Sequence, residues 1–243
     1  MPGQVVDAEA AADFMRETLE KVTHEVLAEI ASDLGTKSRL FAERLEPTRL
    51  ASADRADLRT ILRNSFSTRR KADAILDELG VVELASALDD LLRGEDQLPH
   101  RFERFQTILA PFPGAAFELP SEILHFTHPD RYWLWSRWMW DPRTETGALA
   151  LVTADDFDFD DDPAGTTYLR VGQAVAFVSE TGQSAGFSDF DDSPFSVDVF
   201  LACVYAVYMY TVLRLRMTQE FNRIVPQQDE LVRRLLGVHK MEV

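Results

Sequence analysis

This 243-residue chain has one cysteine, Cys203, four lysines against 21 arginines, and no tryptophan outside one ten-residue run. The lone cysteine excludes an intramolecular disulfide and any cysteine-cluster metal site. Its place in an apolar run suits a reducing compartment. The opening stretch MPGQVVDAEAAADF has no basic segment leading into an apolar one. No secretory signal is expected there, and the expected location is the cytoplasm. Long apolar runs are also missing. The best, Val199–Leu213, has 15 residues, and a bilayer span needs about 20. It is expected to be a buried helix, and no membrane contact is expected. Nucleotide loops of the forms G-x-x-x-x-G-K-[ST] and G-x-G-x-x-G are absent, as is a G-x-S-x-G elbow, so no cofactor is implied. The scarcity of lysine carries no functional meaning.

Charge is abundant and uneven. The net charge is −16, which opposes general attraction to nucleic acid or anionic membrane. Residues 37–71 nevertheless hold ten Lys/Arg and only four acids. A basic block inside an acidic chain is more informative than the total.

Hydrophobic residues make up 46% of the chain, enough for a packed core. The fold class expected is mainly α, a multi-helical globular domain with at most a minor strand near 148–153. Periodicity predicts one helix from Asp7 to about Asp33, stopping at Gly35. Further helices are predicted over about 37–46, 53–66 (burying Leu58, Ile61, Leu62 and Phe66), 68–79 (capped by Thr68), 82–93, 99–109, 119–127 and 129–140. Residues 168–178 read as helix between polar loops at 154–165 and 179–194. A long helix then runs from Ser193–Pro194 to about Ile224, and a short one covers 228–236. The expected division is a helical domain over 1–145, with 146–243 (acidic loops and the long buried helix) packed on it.

Within the basic block, Arg55, Arg59 and Arg63 recur every four residues and form one helix ridge. Arg69, Arg70 and Lys71 follow a few residues on. Guanidinium groups in a row can track a phosphate backbone. The plain alternative is that they pair with acids elsewhere in this acidic chain.

FPGAAFELPSEIL, residues 112–124, follows the spacing L-P-G-V-G-x-x-T-A-x-x-I-L. Phe112 takes the first position, Pro113 and Gly114 match, Ala115 takes the Val place, and Ile123-Leu124 close the pattern. About residues 53–140 thus resemble the helix-hairpin-helix DNA glycosylase superfamily, in which helices precede the hairpin and an aromatic helix follows it. The resemblance implies phosphate held at the hairpin formed by Pro113, Gly114 and Ala116, with backbone N–H groups supplied by Gly114 and Ala116, since proline has none. The departures lie in the chemistry. Ala116 replaces the second Gly and Pro120 the small residue before the second helix. Glu118 stands where bifunctional members carry a nucleophilic Lys, and Ser136 where the family carries its aspartate. A carboxylate cannot replace an amine in Schiff-base chemistry, so the resemblance implies binding without glycosylase activity.

RYWLWSRWMW, residues 131–140, holds all four tryptophans. Read as a helix, it turns Trp135 and Trp138 to the core and sets Arg137 between Trp133 and Trp140. That ladder would be a stacking platform for a base, a protein-interface anchor, or simply core. Read as a strand, the ladder vanishes. His125, His128 and Asp130 have spacing that can serve a metal, but Pro129 breaks the helix and a helix end capped by His128 or Asp130 is the favoured reading. Asp156-x-Asp158-x-Asp160 opens like a calcium loop, yet the required Gly is Asp161 and the required Glu is Thr167. No metal site is expected.

Together these readings predict a non-catalytic helical protein that binds DNA or RNA through the basic ridge and the hairpin-like turn. The alternative is a protein–protein adaptor, complex subunit or homo-oligomer, and a third reading is an enzyme with an aromatic-lined pocket.

Overall fold

The structure is a computed structural model that describes residues 5–159, 163–186, 190–216, 226–239 and 241. It is mainly helical, with eleven α-helices and no sheet among the described residues. None of the described helices is long and apolar enough to cross a membrane. The chain forms two compact units. One is drawn from Met1–Leu34, Arg137–Phe157 and Ala174–His239, and the other from Gly35–Ser136, Asp158–Gln173 and Lys240–Val243.

In the first unit, α1 (Ala8–Leu19) starts where Asp7 accepts from the N–H groups of Glu9 and Ala10, an ordinary N-cap. The expected single helix to Asp33 is in fact two. Thr18 uses its hydroxyl on Phe14 O at 2.9 Å, and the chain turns through 20–23. The Thr23 carbonyl and hydroxyl then take the N–H groups of Leu27 and Val26 as α2 (His24–Arg44) begins. The break buries Val22. Gly35, expected as a stop, lies inside α2.

Still in this unit, the strand weighed at 148–153 is a 3₁₀ turn, Leu149–Leu151, followed by a single antiparallel bridge between Thr153 and Val6. The predicted loop at 179–194 is helical in its first part, because α9 (Ala164–Ala185) runs on through it. The long apolar helix, α10 (Ser196–Arg216), packs on α1 and on α11 (Gln228–Leu235). Five consecutive residues, Phe200–Val204, are buried, as expected of a helix that is apolar all round. Its predicted continuation to Ile224 lies outside the described residues. Burial pushes the Cys203 thiol up to about 12, partly offset by a hydrogen bond with Thr18, so it is an inert core thiol.

The second unit holds α3 (Pro47–Leu50), α4 (Arg55–Asn64), α5 (Ala72–Leu79), α6 (Val81–Arg93), α7 (Leu98–Ile108) and α8 (Glu118–Thr127). All ten residues of α8 are buried, and α6 and α7 pack on it. Phe102 stacks on Tyr168 at 4.8 Å, and Phe117 meets Trp135 at 4.3 Å. Two expectations fail here. Thr68 does not cap α5; its hydroxyl donates to Leu62 O at 2.7 Å. Phe66, expected in the core, is 42% exposed.

Two glycines separate backbone freedom from space. Gly147 has φ +149°, and a Cβ there would strike the Met139 carbonyl, while Gly80 has φ +75° with nothing within 4 Å of a Cβ. Gly80→Ala should therefore cost only the backbone penalty of its φ +75°, ψ 165° conformation, which glycine alone adopts readily, about 1–3 kcal/mol. Gly147→Ala should cost clearly more, because backbone must also move. Urea denaturation of both variants measures the difference; equal losses would refute the steric account.

Candidate nucleic-acid interface

The predicted basic residues fall on α4, α5 and the turn between them. The ridge forms, but its first members are partnered. Arg55 donates to Asp77 at 2.6 Å, and Arg59 holds Asp73 through two bonds, at 2.8 and 3.2 Å. The Arg59 hydrogen bond keeps the Asp73 carboxyl below its ordinary value, helped by the charges of Arg55 and Arg63. Arg63 and Arg69 each donate to the other's backbone carbonyl, both at 3.2 Å. Elsewhere in the block Arg44 pairs with Asp57, and Arg49 with Glu43 at 2.5 Å. Much of the block thus pairs with acids of its own unit, which is the plain alternative weighed for it. Arg70 and Lys71 differ. Both are exposed, and neither forms an ion pair with a described residue.

Lys37 belongs to the basic block in sequence but not in space. It is fully buried, with Nζ 3.3 Å from Glu122 Oε2 and 3.9 Å from the centroid of the Phe126 ring. Glu122 also accepts from Phe66 N at 2.8 Å, Ser67 N at 3.2 Å and the Ser67 hydroxyl at 3.1 Å. A buried carboxylate is tolerated when its lone pairs are used in this way. The result is a clamp: α8 grips the 66–67 backbone, and the basic turn hangs from that grip. Sequence reasoning missed Glu122 entirely. Its only signal was an acid within an otherwise buried helix, and that signal needs the helix's surroundings to be read.

The hairpin-like turn, residues 109–117, joins α7 to α8. Ala115 N donates to Phe112 O at 2.8 Å, closing the turn on itself at a position the resemblance does not assign to a phosphate. Pro113 is exposed, and Gly114 and Ala116 are half-buried. The turn ends at Glu118, four residues before Glu122, or about 6 Å of helix rise. The hairpin-like turn and the clamped basic turn thus border the same half of α8.

The helix predicted over 129–140 does not form; residues 132–136 have no regular secondary structure and 137–139 form a turn. The cause is α8 together with the start of α9. His125 Nδ1 donates to Tyr132 O at 2.8 Å, and Tyr168 OH donates to Trp133 O at 2.9 Å. Ser121 Oγ accepts from Trp135 N at 2.5 Å. These side chains take up backbone groups that a helix would have bonded internally. The register that set Arg137 between Trp133 and Trp140 is therefore absent. Trp140 is buried. The Trp133 ring lies where a Cβ on Gly172 would come within 2.8 Å of its Cδ1. Ser136, in the place of the family's aspartate, is buried, and its hydroxyl has no hydrogen-bond partner among the described residues.

His125 is buried while His128 is exposed at the C-cap of α8. Burial lowers the His128 pKa, and Arg131 and Arg93 add to the effect. No group of three metal-ligating side chains occurs among the described residues. Comparison with protein-family models, curated proteins and solved structures gave no match.

Lys37→Met should lower the unfolding free energy by about 3–5 kcal/mol, because it leaves Glu122 buried and uncompensated. Adding Glu122→Gln should restore part of that loss, since the amide keeps an acceptor for Phe66 and Ser67 without the charge. Urea denaturation checks both, and a single variant as stable as the double would contradict the clamp.

Proposed function

We propose that this is a non-catalytic nucleic-acid-binding protein of helix-hairpin-helix character, contacting the phosphate backbone through the basic turn at 69–71 and the neighbouring turn at 113–118. The observation that carries the reading is the pair Arg70 and Lys71, exposed and without an acidic partner among the described residues, on a turn fixed by Glu122. In a chain of net charge −16, cations left open on a rigid turn form a local anion site against the overall field. Arg55 and Arg59 contribute less, because a phosphate must displace Asp77 or Asp73. Glu118, buried in place of a nucleophilic Lys, supports binding without base excision.

Fluorescence anisotropy with short DNA and RNA should show weak binding that falls steeply with salt. Arg70→Ala with Lys71→Ala should reduce the salt slope by about 2, while Arg55→Ala with Arg59→Ala should reduce it less. Absence of binding at low salt would refute the reading.

A second reading, self-association, has its own observation. Val82 on α6 is 84% exposed and stands between two clefts, one lined by Leu50 and Ala85, the other by Leu79 and Ile108. The small residues Ala85 and Ser86 beside it would let a second α6 approach closely. Light scattering should then find an oligomer that Val82→Glu converts to monomer; a monomeric native protein would dismiss this reading.

A further inference from the structure

We infer that Phe66 is a base-stacking residue and that the nucleic acid bound is single-stranded; this rests on the nucleic-acid reading and names its substrate class. Phe66 is 42% exposed and makes no ring contact with a described residue. Single exposed apolar side chains are ordinary on protein surfaces, but this one sits on a turn whose backbone is held. The backbone N–H of Phe66 is bound at 2.8 Å to a carboxylate that is itself buried and paired with Lys37. Thr68, two residues on, is buried and bonded to Leu62 O. The turn is held from beneath at both points while the ring is left outside.

Arg69, Arg70 and Lys71 follow within five residues of Phe66, and Arg70 and Lys71 are exposed with it. One aromatic face beside a few cations is the elementary unit of single-strand binding: the cations follow phosphates, and the ring stacks on a base of any identity. Bases in an intact duplex are already stacked on one another, so a protruding ring gains nothing from duplex unless a base is displaced. A backbone already held in place also spares the turn part of the ordering cost a loose loop would pay on binding. The same clamp therefore serves both parts: it holds the backbone from which the cations and the ring project.

The test compares a fluorescent 15-mer of dT with a duplex of equal length, using the native protein, Phe66→Ala, Phe66→Trp and Arg70→Ala/Lys71→Ala. The native protein should bind the single strand more tightly than the duplex. Phe66→Ala should weaken single-strand binding by roughly 5- to 100-fold, the equivalent of one stacked base, and leave duplex binding within about twofold. Phe66→Trp should bind the single strand at least as tightly as the native protein. A 2-aminopurine placed in the strand should be quenched on binding by the native protein and much less by Phe66→Ala. Unchanged urea midpoints would confirm that the variants fold. If Phe66→Ala binds and quenches as the native protein does while Arg70→Ala/Lys71→Ala is weakened, the stacking inference fails and the nucleic-acid reading survives. If the native protein binds neither strand nor duplex, both fail.

Discussion

The ion pair between Lys37 and Glu122 governs the second unit. Both side chains are buried, and transfer of two charges out of water costs several kcal/mol per ion unless their hydrogen-bonding capacity is used. Glu122 spends its oxygens on Lys37, on two backbone N–H groups and on a hydroxyl. Lys37 adds the face of Phe126, which in turn meets Phe41 edge-on at 5.6 Å. Three distant stretches, α2, the 66–67 turn and α8, are thereby fixed as a set. A cheaper solution would have been apolar residues of similar volume. What the charged version adds is a specified backbone geometry at the 66–71 turn, where the exposed cations and the exposed ring are found.

The same helix organises a second segment by similar means. Ser121 and His125 bond the irregular backbone at 132–135, and Glu118 is buried beside the turn that precedes them. Four polar residues at 118, 121, 122 and 125 fall on a wide stripe of α8. A solvated helix would turn that stripe outward. Ser121, His125 and, in part, Glu122 bond backbone groups of segments that have no secondary structure of their own, which helps irregular chain to be buried with its N–H and C=O groups satisfied. Helices α6 and α7 cover the remainder.

This explains which features could be read from the sequence. The helices α4, α6, α7, α8 and α11 were legible from their apolar spacing, and the stop residues Gly80 and Gly94 mark where α5 and α6 end. Arg55, Arg59 and Arg63 were legible as a ridge, but their acidic partners Asp73 and Asp77 lie on the next helix, beyond any local pattern. The 131–140 stretch was misread because its conformation is dictated by Ser121, His125 and Tyr168, none of which is a neighbour in sequence. Phe66 was misread for a related reason. Its spacing from Leu62 fits a buried helical face, yet α4 stops at Asn64, and the pull of Glu122 on the Phe66 N–H takes the ring off that face.

The tryptophan run has an optical consequence. The boundary between the two units falls between Ser136 and Arg137, so the run is divided in half. Trp133 and Trp135 belong to one unit, Trp138 and Trp140 to the other, and all but Trp133 are buried. The intrinsic fluorescence of this protein is therefore a sum of two reporters, one from each unit, though all four indoles lie within eight residues. Loss of order in either unit alone would change the emission by that unit's share. Each pair can be silenced separately by replacing its indoles with phenylalanine, leaving the other to report.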